Sequence, residues 1–289
     1  MKIAVFYPSG NTAWSITKGV CSTFSKMGHE VTDCGEDYNE SLIPYHFIFV
    51  SGPEYLWRKL RETYPLWDSL SATKVGWLHE TIEREDYGHN KIAVDGKLPI
   101  QEIFRLVPHL YTPAIQDRGH VTGFLPFGVD TEMFHPRGKL DFCQIYTGSL
   151  YSKRRSTLER YPEIKTLAAY REYATVEEYA VAIGNASVVL NLPSLSEASN
   201  TRTFEVLASR TALITPSMLH ADGIFEHKKH LLYYQGSPAT AFEEVREMAS
   251  KIAENGYEEI LKKHTIKHRL EEVFRQTNRP IRFSSRRKM

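Results

Sequence analysis

The chain has 289 residues, of which 42% are hydrophobic and 25% charged, and a formal net charge of +1. That length suits two domains of about 140 residues each. The near-balanced charge gives no global pull towards nucleic acid, and the composition is that of a folded protein without long disorder. No apolar run approaches the roughly 18 residues a membrane span needs, and the opening MKIAVFYPSG reads as a strand and not as a leader, so a cytoplasmic location is expected. Cys21, Cys34 and Cys143 lack ligand spacing and make an odd set, so they are expected to be reduced and structural.

In chain order, Lys2 to Tyr7 predicts a strand, Pro8 to Thr12 a turn and Thr12 to Lys26 a helix ended by Gly28. A second strand starts at His29 to Thr32, which completes a βαβ unit whose loop carries one useful glycine, Gly10, and no dinucleotide fingerprint. Further strands are predicted at Phe47 to Ser51, Lys74 to Leu78, His109 to Thr112 and Val121 to Leu125. Because ligands of open parallel sheets gather at the carboxyl ends of the strands, Gly10, His79 and Glu80 are placed near one crevice. A lone histidine at a strand end is also a common structural feature. The acidic run Glu83 to Asp86 reads as solvated surface, and no metal-ligand cluster is recognised.

Pro126 to Pro136 is rich in turn formers, and Gly138 to Asp141 reads as a linker, which divides the chain into residues 1–137 and 138–289. Phe142 to Thr147 opens a second sheet, followed by Gly148 and the cations Lys153, Arg154 and Arg155. Basic residues beside a strand-ending glycine suit a diphosphate; a solvated helix start is the alternative. Val176 to Gly184 is predicted helical, Ser187 to Leu192 and Ala212 to Thr215 as strands, and His230 to Tyr234 as a short edge strand. Two amphipathic helices, Glu243 to Asn255 and Tyr257 to Phe274, are predicted to part at Gly256. The last residues, Arg279 to Lys288, carry five cations and no acid, either a solvated tail or a contact with a phosphate-rich surface.

The most informative stretch is Glu197 to Glu205, EASNTRTFE, which sets two glutamates eight positions apart across a loop entering a helix. Asn200 or Thr201 can cap that helix, whose start offers unpaired N–H groups and a positive dipole end to a phosphate. Phe204, Leu207 and Ala208 form its predicted buried face, turning Glu205 elsewhere, one turn in, where a carboxylate can accept two ribose hydroxyls. A surface ion pair between Arg202 and Glu205 is the plainer alternative.

Four segments in order resemble a nucleotide-sugar glycosyltransferase of the GT-B fold, specifically its CgeB-like branch: LPFGVDTEMFHP (125–136), IYTGSLYSKR (145–154), SVVLNLPSLSEASNTRTFEVLASRTALIT (187–215) with the E-x7-E pattern of retaining members, and HTIKHR (264–269). The resemblance implies an α/β protein with two Rossmann-like domains facing each other across a cleft, and C-terminal helices packing back. It further implies a nucleoside-diphosphate sugar as co-substrate, a UDP-sugar first, with no other cofactor and no metal. Glu205 would hold the ribose; Arg154 and Lys153 the diphosphate; the backbone around Ser199, Asn200 and Thr201 the phosphate oxygens, with Arg202 also among the donor-binding residues; Glu197 the sugar hydroxyls. His79 would contact the transferred sugar, and Gly10 and Gly148 would give the donor room. With no carboxylate in an obvious nucleophile position, same-face attack with retention is expected. The acceptor could be a small molecule, a glycan or, given the basic tail, a hydroxylated DNA base; a nucleotide-sugar binding protein without turnover is the remaining alternative.

Overall fold

The computed structural model describes residues 1–8, 14–52, 54–78, 103–107, 123–138, 144–147, 150, 152–192, 200–217 and 224–277. The first sheet holds β1 (Lys2–Phe6), β2 (Glu30–Gly35), β3 (Phe47–Gly52), β4 (Thr73–Leu78), β5 (Ile103–Val107) and β6 (Gly123–Phe124) in the order β2-β1-β3-β4-β5-β6. Every pairing in it is parallel. The second holds β7 (Gln144–Thr147), β8 (Ala169–Arg171), β9 (Val188–Leu190), β10 (Ala212–Pro216) and β11 (Leu232–Tyr234), again all parallel, in the order β11-β10-β9-β7-β8.

Parallel strands need both faces covered, and the sequence alternates accordingly. In β1, Ile3 and Val5 pack with Ile16, Val20 and Phe24 of α1 (Trp14–Lys26), whereas Ala4 and Phe6 pack with Leu56 and Leu60 of α2 (Glu54–Thr63). In the second sheet, Val189 and Leu213 share a core with Ala180 and Ile183 of α5 (Val176–Asn185) and with Phe204 and Leu207 of α6 (Thr201–Ala208). Their neighbours Val188, Leu190, Ala212 and Ile214 face Leu158 of α3 (Ser152–Arg160), Ile164 of α4 (Ile164–Leu167) and Phe242, Val245 and Ile252 of α7 (Ala239–Lys263).

The α1 face of the first sheet and the α5/α6 face of the second belong to one continuous core, joined through Phe127, Val129 and Phe134 and through Ile266, Leu270 and Val273 of α8 (Ile266–Thr277). Here α8 returns to the first sheet, and the ring of Phe274 sits 5.8 Å from that of Phe24 and 5.4 Å from that of Phe47. The expected packing back of the C-terminal helix is thus observed.

The joint itself is made by two of the segments singled out in the sequence. Val129 pairs with Thr265 as an isolated bridge: its N–H donates to the His264 carbonyl at 3.1 Å and its carbonyl accepts from Ile266 at 3.0 Å. Arg269 is 6% exposed and donates from Nε to the Phe127 carbonyl at 3.0 Å, from Nη1 to the Lys263 carbonyl at 2.9 Å and from Nη2 to His264 Nδ1. Burial lowers its pKa to about 10, which leaves it charged at neutral pH. Asp130 acts as a structural turn acid, its Oδ1 accepting the Glu132 N–H at 2.9 Å.

One expectation is corrected and another falls outside the described residues. The sheet gains a strand that was not expected, β5 (Ile103–Val107), while the strand expected at His109 to Thr112 lies outside the described residues. The helix break is not at Gly256, for α7 runs through it to Lys263 and the chain turns at His264 and Thr265. A Cβ at Gly256 would lie 2.7 Å from Leu207 Cδ2 and 2.8 Å from the His230 carbonyl oxygen, so this glycine serves close packing instead of helix termination. Gly256→Ala should gain up to about 1 kcal/mol of helix propensity and lose about 1–3 kcal/mol to overpacking. The expected net effect is a lower urea midpoint, and a raised one would contradict this account of Gly256.

His264 yields a pH prediction. Burial, and next the Arg269 charge, hold its pKa down at about 3 from the ordinary 6.5. The unfolded chain therefore takes up this proton first as pH falls below about 6.5, and the stability that is fully present above that value declines towards pH 3. At about 1.4 kcal/mol per pH unit, His264 should cost the fold roughly 2 kcal/mol by pH 5. His264→Gln, which keeps an acceptor for Arg269, should show a smaller loss between pH 7 and pH 5 in urea unfolding; an unchanged loss would remove His264 as its source.

Candidate functional site

From β7 the chain winds outward to β8, then returns to the other flank of β7 and continues through β9, β10 and β11. The carboxyl ends of β7 and β9 are neighbours whose connections leave in opposite directions, which opens a crevice at the switch of winding. The β7 connection carries Gly148 and leads to α3; the β9 connection carries Asn191 and leads to α6.

Asn200 is the N-cap of α6, in an extended conformation with φ −112° and ψ 170°, and its side chain accepts the Thr203 N–H at 3.3 Å. Asn191, 1% exposed, draws the elements together. Its Nδ2 donates to Thr215 Oγ1 at 3.1 Å, its Oδ1 accepts from Arg202 Nη1 at 3.1 Å, and its amide faces that of Asn200 at 3.4 Å. Its backbone N–H donates to the Ile214 carbonyl at 2.8 Å, and its carbonyl accepts from the Tyr234 hydroxyl at 3.3 Å. One buried amide therefore ties the ends of β9, β10 and β11 to the first turn of α6.

Thr203 through Ala208 are all buried, so α6 is embedded on every side and not on the single face expected. Glu205 is 6% exposed, and the surface-pair alternative with Arg202 does not describe it. The buried hydroxyl of Tyr179 on α5 lies within electrostatic reach of Glu205 and Arg202, at a geometry too poor to count as a hydrogen bond to either. Burial first, and then the Glu205 charge, push that phenol well above its ordinary range. Nothing in the sequence marked Tyr179, Thr215 or Tyr234, because their partners are brought together only by the sheet order; Asn191 stood in the segment recognised, without a role.

Arg154 is in the first turn of α3 and 6% exposed; its positive charge acts on Tyr170 of β8, opposing the burial and the Glu172 hydrogen bond that raise that phenol to about 12. Its neighbour Arg155 donates from Nε to the Leu150 carbonyl at 2.7 Å and so fixes the end of the β7 connection. Arg154 is thus in the first turn of the helix that follows β7, and Asn200, Thr201 and Arg202 are at the start of the helix that follows β9, with Glu205 one turn further in. Lys153 is in α3, with its side chain outside the described residues. Glu197, Ser199, Gly148, Gly10, His79, Glu80, the acidic run 83–86, Cys143 and the basic tail also lie outside them. In the first sheet the winding likewise reverses, between β1 and β3, where Gly52 takes φ 149° and a Cβ there would lie 2.8 Å from Pro8 Cδ. The strand ends that precede Gly10 and Pro53 therefore adjoin.

Among the described residues no group of three or more His, Cys, Asp or Glu side chains is placed to hold a metal ion, and no helix is long and apolar enough to cross a membrane. Cys21 and Cys34 are free thiols that burial pushes up to about 12. A cleft of about 480 Å³ lies elsewhere, between the far end of α1 (Thr23, Lys26), Asp130 and the start of α8 (Lys267, His268). It is at the end of α1 remote from β1's carboxyl end and takes no part in the crevice.

Residues 140–275 match the family model described as glycosyl transferase-like. The second half of the chain is thus similar to a glycosyltransferase domain. The whole chain superposes on solved structures with the GT-B fold. Sucrose-phosphate synthase from Thermosynechococcus elongatus has a TM-score of 0.69 at 13% identity, over 96% of this chain and 98% of that one. HepE from Anabaena, solved with UDP and glucose, has a TM-score of 0.68 at 11% identity, over 95% and 99%. AviGT4, a glycosyltransferase of avilamycin A biosynthesis, has a TM-score of 0.57 at 12% identity, over 96% and 97%. No curated protein matches the chain by sequence. At these identities the structures establish the fold alone, two parallel-sheet α/β domains of GT-B type.

Proposed function

We propose that the protein is a glycosyltransferase that moves a sugar from a nucleoside-diphosphate sugar, a UDP-sugar first among them, to an acceptor hydroxyl, with retention and without a metal ion. The observation that carries this reading is the buried carboxylate of Glu205 on an Asn-capped helix at the switch point of the second sheet. Glu205 accepts the ribose hydroxyls, and the first turn of α6 turns its N–H groups and positive dipole end towards the diphosphate. Arg154 and Lys153, from the opposite flank, offset the charge that grows on the leaving group. Arg202 and the backbone of Ser199 to Thr201 complete the phosphate cradle, and Gly148 gives the diphosphate room. Glu197, eight residues before Glu205 as in retaining E-x7-E enzymes, holds the sugar hydroxyls. From the first domain His79 contacts the transferred sugar, and Gly10 keeps the entrance open.

The reading divides the chain at residues 137 and 138, assigns it to the CgeB-like branch and sets it in the cytoplasm. The choice of UDP draws on HepE, whose structures hold UDP and UDP-glucose. Thermal-shift measurements against UDP-, GDP-, ADP- and TDP-sugars test the donor class, since a ligand at 100 times its Kd stabilises by about 2.7 kcal/mol. For the nucleotide that binds, Glu205→Gln should weaken affinity by about 1.5–3 kcal/mol, the loss of a charge-assisted hydrogen bond. Calorimetry that found equal affinities would remove Glu205 from the ribose.

A further inference from the structure

We propose that Asn191 is a positioning residue for the donor site: it touches no substrate, but aims the first turn of α6, and with it Glu205, into the crevice. The inference rests on the donor reading above and adds to it a residue outside the set expected to bind donor.

The argument is one of saturation. A side-chain amide has two N–H donors and one carbonyl oxygen. In Asn191 the donors are directed at Thr215 on β10 and Asn200 at the cap, and the oxygen at Arg202 in the first turn of α6, also facing the Asn200 amide. With 1% exposure it has no spare surface for a ligand. Its partners Asn200 and Arg202 are residues on either side of the helix start, whereas Thr215, Ile214 and Tyr234 belong to the rigid sheet. Asn191 is therefore the point at which the eight-residue helix α6 is referenced to the strands. Arg202 gains a second part in this arrangement, since a guanidinium held by Asn191 at 3.1 Å fixes the turn as well as adding charge to it. An eight-residue helix is too short to hold its own geometry in water, so its direction must come from such tertiary ties.

The experiment combines amide hydrogen exchange with UDP binding in the full chain. Asn191→Ala should speed exchange in the first turn of α6 by about tenfold, against little change in β1 or β3, as expected when one local element loosens within a folded frame. UDP affinity should fall by about tenfold, the range for a lost hydrogen bond to a charged group. In a Glu205→Gln background the same substitution should cost clearly less than tenfold in UDP affinity, because part of the positioning acts through that carboxylate and the rest through the phosphate-facing turn. Thr215→Val removes one tie while leaving α6 untouched; should Asn191→Ala fail to fold, this variant carries the test, with exchange faster by about threefold or more in the same turn. Unchanged exchange in α6, or losses of UDP affinity that add fully across the double variant, would overturn the positioning role. Faster exchange in a protein that never binds UDP would instead sink the UDP reading and leave Asn191 as an anchor of α6 only.

Discussion

The arrangement of the two domains depends on one buried guanidinium. Placing a charge such as that of Arg269 out of water costs several kcal/mol unless its donors are met, and a lone ion pair often fails to compensate. Here the compensation is dipolar: two carbonyl oxygens and an imidazole nitrogen receive three of its donors. Those carbonyls belong to Phe127, in the passage between the two sheets, and Lys263, the last residue of α7. The requirement to satisfy Arg269 therefore locks the passage from the first sheet to the return from the second. His264, held neutral by burial and by the Arg269 charge, completes the lock because a protonated ring could not accept that hydrogen bond. Gly128 allows it to close, since a Cβ there would lie 2.8 Å from Arg269 Cγ.

With the joint fixed, the second sheet supplies the chemistry through its winding. Parallel strands impose that helices enter and leave at defined ends, and reversal around β7 leaves the carboxyl ends of β7 and β9 bare of a crossing connection. The helices that follow those two strands begin with Arg154 in the first turn of α3 and with the Asn200 cap of α6. A carboxylate such as Glu205 is costly to bury, and its charge is felt by the buried Tyr179 hydroxyl of α5. Burial also removes competing water, which strengthens any hydrogen bond Glu205 makes to a hydroxyl.

Much of the fold was legible because it is local. The apolar run SVVLNL at 187–192, the apolar β1 and β3, and Gly28 with φ +86° each declare themselves within a few residues. What was illegible depends on contacts distant in sequence. Gly256 looked like a helix break, and only the approach of Leu207 and the His230 carbonyl shows why a glycine is needed within α7. Glu205 was expected to face away from the core on the pattern of Phe204, Leu207 and Ala208, yet α6 is covered on every side because α5, α7 and β10 all pack on it. Asn200 was legible as a cap from its type and place; Asn191 was not legible as a hub, since its partners Thr215 and Tyr234 lie 24 and 43 residues away.

The central claim is that a sugar nucleotide seats between the carboxyl ends of β7 and β9, with its ribose on Glu205. A crystal structure with UDP bound tests this most directly. The account predicts the ribose hydroxyls within hydrogen-bond distance of the Glu205 carboxylate and the diphosphate between α3 and the first turn of α6. A nucleotide found instead in the cleft beside Lys26 and His268, or a crevice filled by side chains in the bound state, would contradict it.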